Sequence, residues 1–201
     1  IDENFKTLDV LYESGLRSLG PVWSRSNIFG HGVPFRFPST GDTGDGLTAV
    51  GKNLIRFCND RRLLIDLSHL NEKGFWDAAT LSKAPLVATH SNAHAICASS
   101  RNLSDDQLKF ASGFLREDGR WSTDTPLEIM VRHLDHMLKV AGENCVALGS
   151  DFDGARIPDG IKDATGLPNL IEALRERQYG EQLIAKIAHE NWLSVLERTW
   201  G

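Results

Sequence analysis

Long hydrophobic runs are missing from this chain. No apolar stretch approaches the roughly 20 residues that a membrane-spanning helix needs, so no segment of the sequence reads as a span. The first residues, Ile1-Asp2-Glu3-Asn4-Phe5-Lys6, are polar and offer no signal-peptide core, which makes a cytoplasmic location the expectation. An excess of basic residues is missing too. The net charge of -5 leaves no electrostatic footprint for nucleic acid. Cysteine is scarce: Cys58, Cys97 and Cys145 are odd in number and contain no Cys-x-x-Cys pair. That argues against a disulfide framework. Cys145 opens an apolar run and reads as a small buried hydrophobe. No repeat of fixed period and no low-complexity tract is present.

What is present is an ordinary globular composition: 201 residues, 41% hydrophobic and 24% charged. That is enough for one domain with a sizeable core. Strand-like and helix-like patterns alternate, which argues for βα units and a parallel sheet. Residues 4–14 read as a helix leading into a strand near Arg17–Trp23. A loop rich in Gly, Pro, Ser and Thr follows from Ser24 to Gly46. A loop of that length is usually functional or mobile. Helical patterns cover Leu47–Asn59 and Glu72–Leu81, and Ser104-Asp105-Asp106-Gln107 reads as a capped helix start. Pro126 sits in the first turn of a helix running to about Val140. Leu167–Arg177 and Tyr179–Arg198 read as two closing helices.

Three apolar runs stop at polar clusters that could carry chemistry. Leu63-Leu64-Ile65-Asp66-Leu67-Ser68-His69 ends in one histidine, and Pro85-Leu86-Val87-Ala88-Thr89-His90 in another. Cys145-Val146-Ala147-Leu148-Gly149-Ser150-Asp151 ends in an acid. In parallel α/β barrels the active site lies at the C-terminal ends of the strands. Imidazole and carboxylate are typical zinc ligands, so His69 and His90 are candidate metal ligands. The competing reading is a hydrogen-bonding histidine in a βα loop. Asp151 is a candidate general base for an activated water; Asp153-Gly154 fits a simple turn. Arg101 could grip a substrate carboxylate with its fork of donors, although its spacing alone suits a solvated surface arginine. His94 reads as a cap or supporting group, His133, His136 and His189 as structural or exposed. His31 lies in the long loop.

Only four runs read convincingly as strands, ending at Trp23, His69, His90 and Asp151. A full (β/α)8 barrel has eight strands and about 250 residues. The expectation is an α/β fold of the (β/α)8 TIM-barrel type, incomplete in this chain. Between Arg101 and Asp151 the sole candidate strand is Lys109–Leu115, which is short and poor in β-branched residues.

These segments resemble the membrane dipeptidase (renal dipeptidase) family of zinc peptidases. The resemblance covers essentially the whole chain. It rests on Gly15-Leu16-Arg17-Ser18-Leu19, Ile65-Asp66-Leu67-Ser68-His69, Ala84–Ala93, Ser100-Arg101-Asn102 and Gly149-Ser150-Asp151-Phe152-Asp153-Gly154, in this order and spacing. It implies a (β/α)8 barrel with two zinc ions per complete site. It also implies hydrolysis of dipeptides by a metal-bound hydroxide, often with tolerance for a C-terminal D-residue. His69 and His90 match the two histidines of one zinc, Arg101 the arginine on the substrate carboxylate, and Asp151 the catalytic acid.

There are departures. The family's His-x-Asp on the first strand and its bridging glutamate have no counterpart. Ile1-Asp2 falls just after the glutamate's place, and Glu3 is on the wrong side of it. Trp23 occupies the place of a substrate-contacting histidine, with His31 a candidate to compensate. About one strand's worth of family sequence is lacking after Lys109. The chain therefore reads as a single domain over residues 1–201. It matches the C-terminal part of a dipeptidase barrel, with an internal gap after 109.

The expected function is that of a zinc dipeptidase acting on a dipeptide substrate. Alternatives are a non-catalytic remnant serving as a structural or interaction module, or another amidohydrolase such as a lactonase or deaminase on the same scaffold. Unpaired strand edges should favour association, including a homo-oligomer.

Overall fold

A computed structural model describes residues 1–110, 112–114 and 126–201. Its elements alternate as the patterning predicts. Helix α1 (Lys6–Glu13) leads into β1 (Ser18–Leu19), followed by α2 (Ala49–Asp60), β2 (Leu64–Asp66), α3 (Glu72–Leu81) and β3 (Leu86–Ala88). Then come α4 (Asp105–Phe110), β4 (Ser112–Phe114), α5 (Leu127–Ala141) and β5 (Val146–Ala147). Helices α6 (Leu167–Glu176), α7 (Glu181–Ala185) and α8 (Asn191–Trp200) close the chain, with a π-helical turn at Lys186–Glu190 joining the last two.

All pairings are parallel, and the strand order β1-β2-β3-β4-β5 follows the sequence. Each crossover thus moves one place in the same direction. A doubly wound sheet would reverse its order partway. Strand β4 falls within Lys109–Leu115, the weakest expectation drawn from sequence. The other strands stop earlier than expected: β1 at Leu19, not Trp23, β2 at Asp66 and β3 at Ala88.

The cause at β2 and β3 is one carboxylate. Asp66 Oδ1 accepts the backbone N–H of Ser68 at 2.9 Å and of Thr89 at 3.1 Å. The amide of His90 in turn donates to Ser68 Oγ at 3.1 Å. Side chains take over the donors that a longer ladder would use, and both strands end there.

Alternate strand residues serve two faces, as the two-residue period of a strand requires. Leu63, Ile65, Leu86, Ala88 and Val146 join the main core with Leu54, Phe75 and Leu134 of the helices. Leu64, Val87 and Ala147 face the other way and pack against Val195 of α8. Helix α8 lies across the N-terminal ends of the strands. Asn191 Nδ2 donates to Glu143 O at 2.7 Å and Val146 O at 2.8 Å, beside β5. At the other end of the helix, Trp200 Nε1 donates to Arg17 O at 3.4 Å, just before β1. The C-terminal strand ends are thereby left to the loops.

Helix starts are capped by side chains. Thr48 accepts from Gly51 N, and Asn71 from Gly74 N, both at 3.0 Å. At α4 the box is reciprocal: Ser104 N donates to Gln107 Oε1 at 3.0 Å and Gln107 N to Ser104 Oγ at 3.4 Å. His136 lies 2.7 Å from Asp105 and joins α5 to α4, while His133 is buried in α5.

Candidate metal centre

The turn after β2 carries His69, and the turn after β3 carries His90. Because β2 and β3 are parallel neighbours in register, with Asp66 opposite Val87, the two turns sit side by side. The imidazoles meet: His69 Nε2 and His90 Nε2 are 2.7 Å apart. His69 adopts a left-handed backbone, φ 69°, which turns its side chain back toward the strand ends. Such conformations cost on the order of 1–3 kcal/mol for a non-glycine residue and gather at functional sites. Asp151 (φ 51°) and Ser24 (φ 46°) share the feature.

Each ring is anchored through its far nitrogen. His69 Nδ1 lies 2.7 Å from Ser24 Oγ, and His90 Nδ1 lies 2.7 Å from Thr89 Oγ1. Thr89 Oγ1 donates to Asp66 Oδ2 at 2.5 Å. His69 is only 7% exposed. Two rings with braced Nδ1 atoms and converging Nε2 atoms form the donor set a metal ion uses, and such outer partners orient ligating histidines. The residues present therefore fit two imidazole ligands. Among the described residues no third His, Cys, Asp or Glu completes a metal-binding cluster with them.

Arg101 joins the pair. Its Nη2 donates to His90 O at 3.1 Å and lies 3.4 Å from His69 Nε2. This contradicts the solvated-surface reading that spacing alone favoured. Trp23 flanks the other side, its ring 5.7 Å from that of His69 and 5.9 Å from that of Phe35. Both aromatics stand well exposed, Trp23 at 59% and Phe35 at 58%. They form an apolar wall open to solvent.

The loop before α2 is folded over the site. Val33 N donates to His69 O at 2.9 Å, and Ser39 N to Ala98 O at 2.8 Å. His94 Nε2 lies 2.8 Å from Ser39 O, so this histidine braces the loop. Gly32 is needed for the same closure: a Cβ there would fall 2.7 Å from the backbone carbon of Ser24. His31 does not turn toward the pair. Its Nδ1 lies 3.3 Å from Gly46 O, and its ring covers Gly44.

Asp151 follows β5, two places along the sheet from β3. Its carbonyl accepts the amides of Gly154 at 3.0 Å and Ala155 at 2.9 Å, and its carboxylate lies over Gly154, where a Cβ would be 2.6 Å from Oδ1.

Sequence reasoning overlooked Ser24, Asp66, Ser68, Thr89 and Phe35. Asp66 carried a signal, an acid inside an otherwise apolar strand. Ser24 carried none, since its partner is 45 residues away.

Three comparisons bear on this geometry. A family model described as membrane dipeptidase (peptidase family M19) matches residues 1–200. A crystal structure of a metallopeptidase from Rhodobacter sphaeroides, liganded with a phosphinate mimic of the dipeptide L-Ala-D-Ala, is 54% identical with a TM-score of 0.96. The match covers 100% of this chain and 60% of that one, so this chain spans less than two thirds of its length. An uncharacterized protein in the pqqA 5' region of Klebsiella pneumoniae is 47% identical over 211 residues, covering 99% of this chain and 78% of that protein. The probable dipeptidase PvdM from Pseudomonas aeruginosa shares the fold, with a TM-score of 0.85 at 23% identity over 98% of this chain and 66% of that one.

Proposed function

The chain belongs to the membrane dipeptidase family, and from that premise we propose that it forms the His–His metal half of a zinc-dependent dipeptidase site. The five parallel strands are read as an arc of the family's (β/α)8 barrel. The observation that carries the proposal is the braced pair, His69 and His90, whose Nε2 atoms converge to 2.7 Å. These two residues would hold one metal. A bound zinc supplies a Lewis acid for the scissile carbonyl and an acidified water.

The remaining roles belong to the chain's own side chains. Arg101 is held beside the pair by its bond to His90 O. Its guanidinium would take the substrate's C-terminal carboxylate, fixing the length of peptide accepted. Asp151 would receive a proton from the attacking water and return it to the leaving amine. Trp23, with Phe35, would line the side-chain subsite next to His69. His31 braces the loop that carries these groups. The ligand of the Rhodobacter metallopeptidase suggests the substrate class: a dipeptide of small residues with a D-residue at its C-terminus.

A second reading rests on the ligand count. Two histidines without an acidic third ligand among the described residues would suit a chain that binds metal weakly and catalyses nothing alone. Zinc stoichiometry separates the two readings. In the first, the chain binds zinc, His69→Ala and His90→Ala each abolish binding, and L-Ala-D-Ala is hydrolysed. Arg101→Ala then raises KM, and Asp151→Ala lowers kcat with the melting temperature unchanged. An Asp151→Ala variant as active as the parent removes that residue's role. A chain that binds zinc but hydrolyses no dipeptide supports the second reading.

A further inference from the structure

The hydrogen bonds around the pair contain enough information to place each proton. A threonine hydroxyl has one hydrogen, and a carboxylate only accepts. Asp66 behaves as a carboxylate: Oδ1 takes two backbone amides, at 2.9 and 3.1 Å, and Oδ2 lies 2.5 Å from Thr89 Oγ1. The single hydrogen of Thr89 is therefore committed to Asp66. The 2.7 Å contact between Thr89 Oγ1 and His90 Nδ1 then needs its hydrogen from the ring. His90 is the Nδ1–H tautomer, and its Nε2 presents a lone pair. Across the 2.7 Å gap, His69 must donate from Nε2. Its Nδ1 consequently accepts from the Ser24 hydroxyl, 2.7 Å away. The two rings are held differently. No carboxylate lies behind Ser24 in this relay, so its hydroxyl can donate or accept.

We propose that Asp66 and Thr89 are positioning residues that lock His90 as the Nδ1–H tautomer with its Nε2 lone pair aimed into the site, whereas Ser24 serves His69 in either tautomer. The metal-free chain is closed by a His69 N–H···N His90 bond. Entry of a cation requires only that His69 move its proton from Nε2 to Nδ1, where Ser24 turns to accept it. His90 is already poised. The metal part of the inference rests on reading the pair as ligands; the proton placement in the metal-free chain does not.

The test is a long-range proton–nitrogen correlation spectrum of the metal-free chain, labelled with nitrogen-15 in histidine. It is recorded at mildly alkaline pH, where an imidazole is ordinarily neutral. The expected result is His90 as the Nδ1–H tautomer and His69 as the Nε2–H tautomer. Thr89→Val, which removes the hydroxyl at nearly constant shape, shifts His90 toward a mixture of tautomers, and Thr89→Ser restores the parent spectrum. Titration with Zn2+ then shows Thr89→Val weakened about 10–100-fold, with Thr89→Ser close to the parent. A parent spectrum with His90 as the Nε2–H tautomer overturns the proposal, and this measurement needs no variant to fold. So does a Thr89→Val variant with parental tautomer and affinity. A parent chain with the expected tautomers that binds no zinc upholds the relay and removes the metal-ligand reading of the pair.

Discussion

Cys58 shows how far a single side chain's surroundings can move its chemistry. It is 1% exposed, and burial pushes its thiol pKa up to about 12. The thiolate is the reactive form, so Cys58 should resist thiol reagents at neutral pH in the native chain. Cys97 is buried as well, whereas Cys145 is partly exposed. Timed labelling should therefore modify Cys145 first and the other two only after unfolding. Rapid native labelling of Cys58 would contradict its burial. The sign of the pH effect follows. The folded pKa lies above the unfolded value of about 8.5, so the contribution to stability is complete below that pH. It is lost as the pH rises toward about 12, because the unfolded thiol ionises first. Urea unfolding of a Cys58→Ala variant should show a flatter alkaline limb than the parent. At this scale the sequence disclosed His69, His90 and Arg101, because each stands in a recognisable local segment. It did not disclose Ser24, whose partnership depends on a chain reversal 45 residues away. Arg101 also shows the reverse error: its spacing alone suggested solvent, and only the fold brings it to the pair.

Helices were more legible than strands. The span Glu72–Leu81 is written in its own residues, with Asn71 to cap it and Ser82 to end it. Strand limits depend on what neighbours do to the ladder, and here the Asp66 carboxylate cuts two strands short. Helix α8 lies at the end of the sheet away from the histidines, so damage there should spare them. Asn191 is 8% exposed, and its side-chain amide satisfies two carbonyls. Leaving such acceptors unpaired costs about 1–3 kcal/mol. Asn191→Ala should accordingly lower the urea midpoint by that amount while zinc stoichiometry stays at the parent value. A variant with unchanged stability would show that α8 is held by Val195 and Trp192 alone.

Over the whole molecule, the order β1-β2-β3-β4-β5 leaves β1 and β5 as the outer strands of the described sheet. An unpaired edge is a template for another chain. Each of these strands is only two residues long, however, which limits what can be templated. Sedimentation at rising concentration should show reversible association of this chain, and a monomer at every concentration would count against open edges. The alternation of strands and helices made the α/β class and the parallel sheet legible. The number of strands was harder to read, because β4 (Ser112–Phe114) contains no β-branched residue to announce it.

The segment between β1 and α2 has a consequence for anyone wishing to move this site elsewhere. Its Ser24 braces one histidine, its Val33 amide holds the carbonyl of the same residue, and its Gly32 permits the close approach. A graft of the β2 and β3 ends onto another sheet would carry both imidazoles and the Asp66–Thr89 support, yet leave His69 unsupported. The smallest portable unit therefore runs from Pro21 to Asn102, with the connecting segment as part of the machinery. Within that unit, loop-shortening is the change the site would tolerate least.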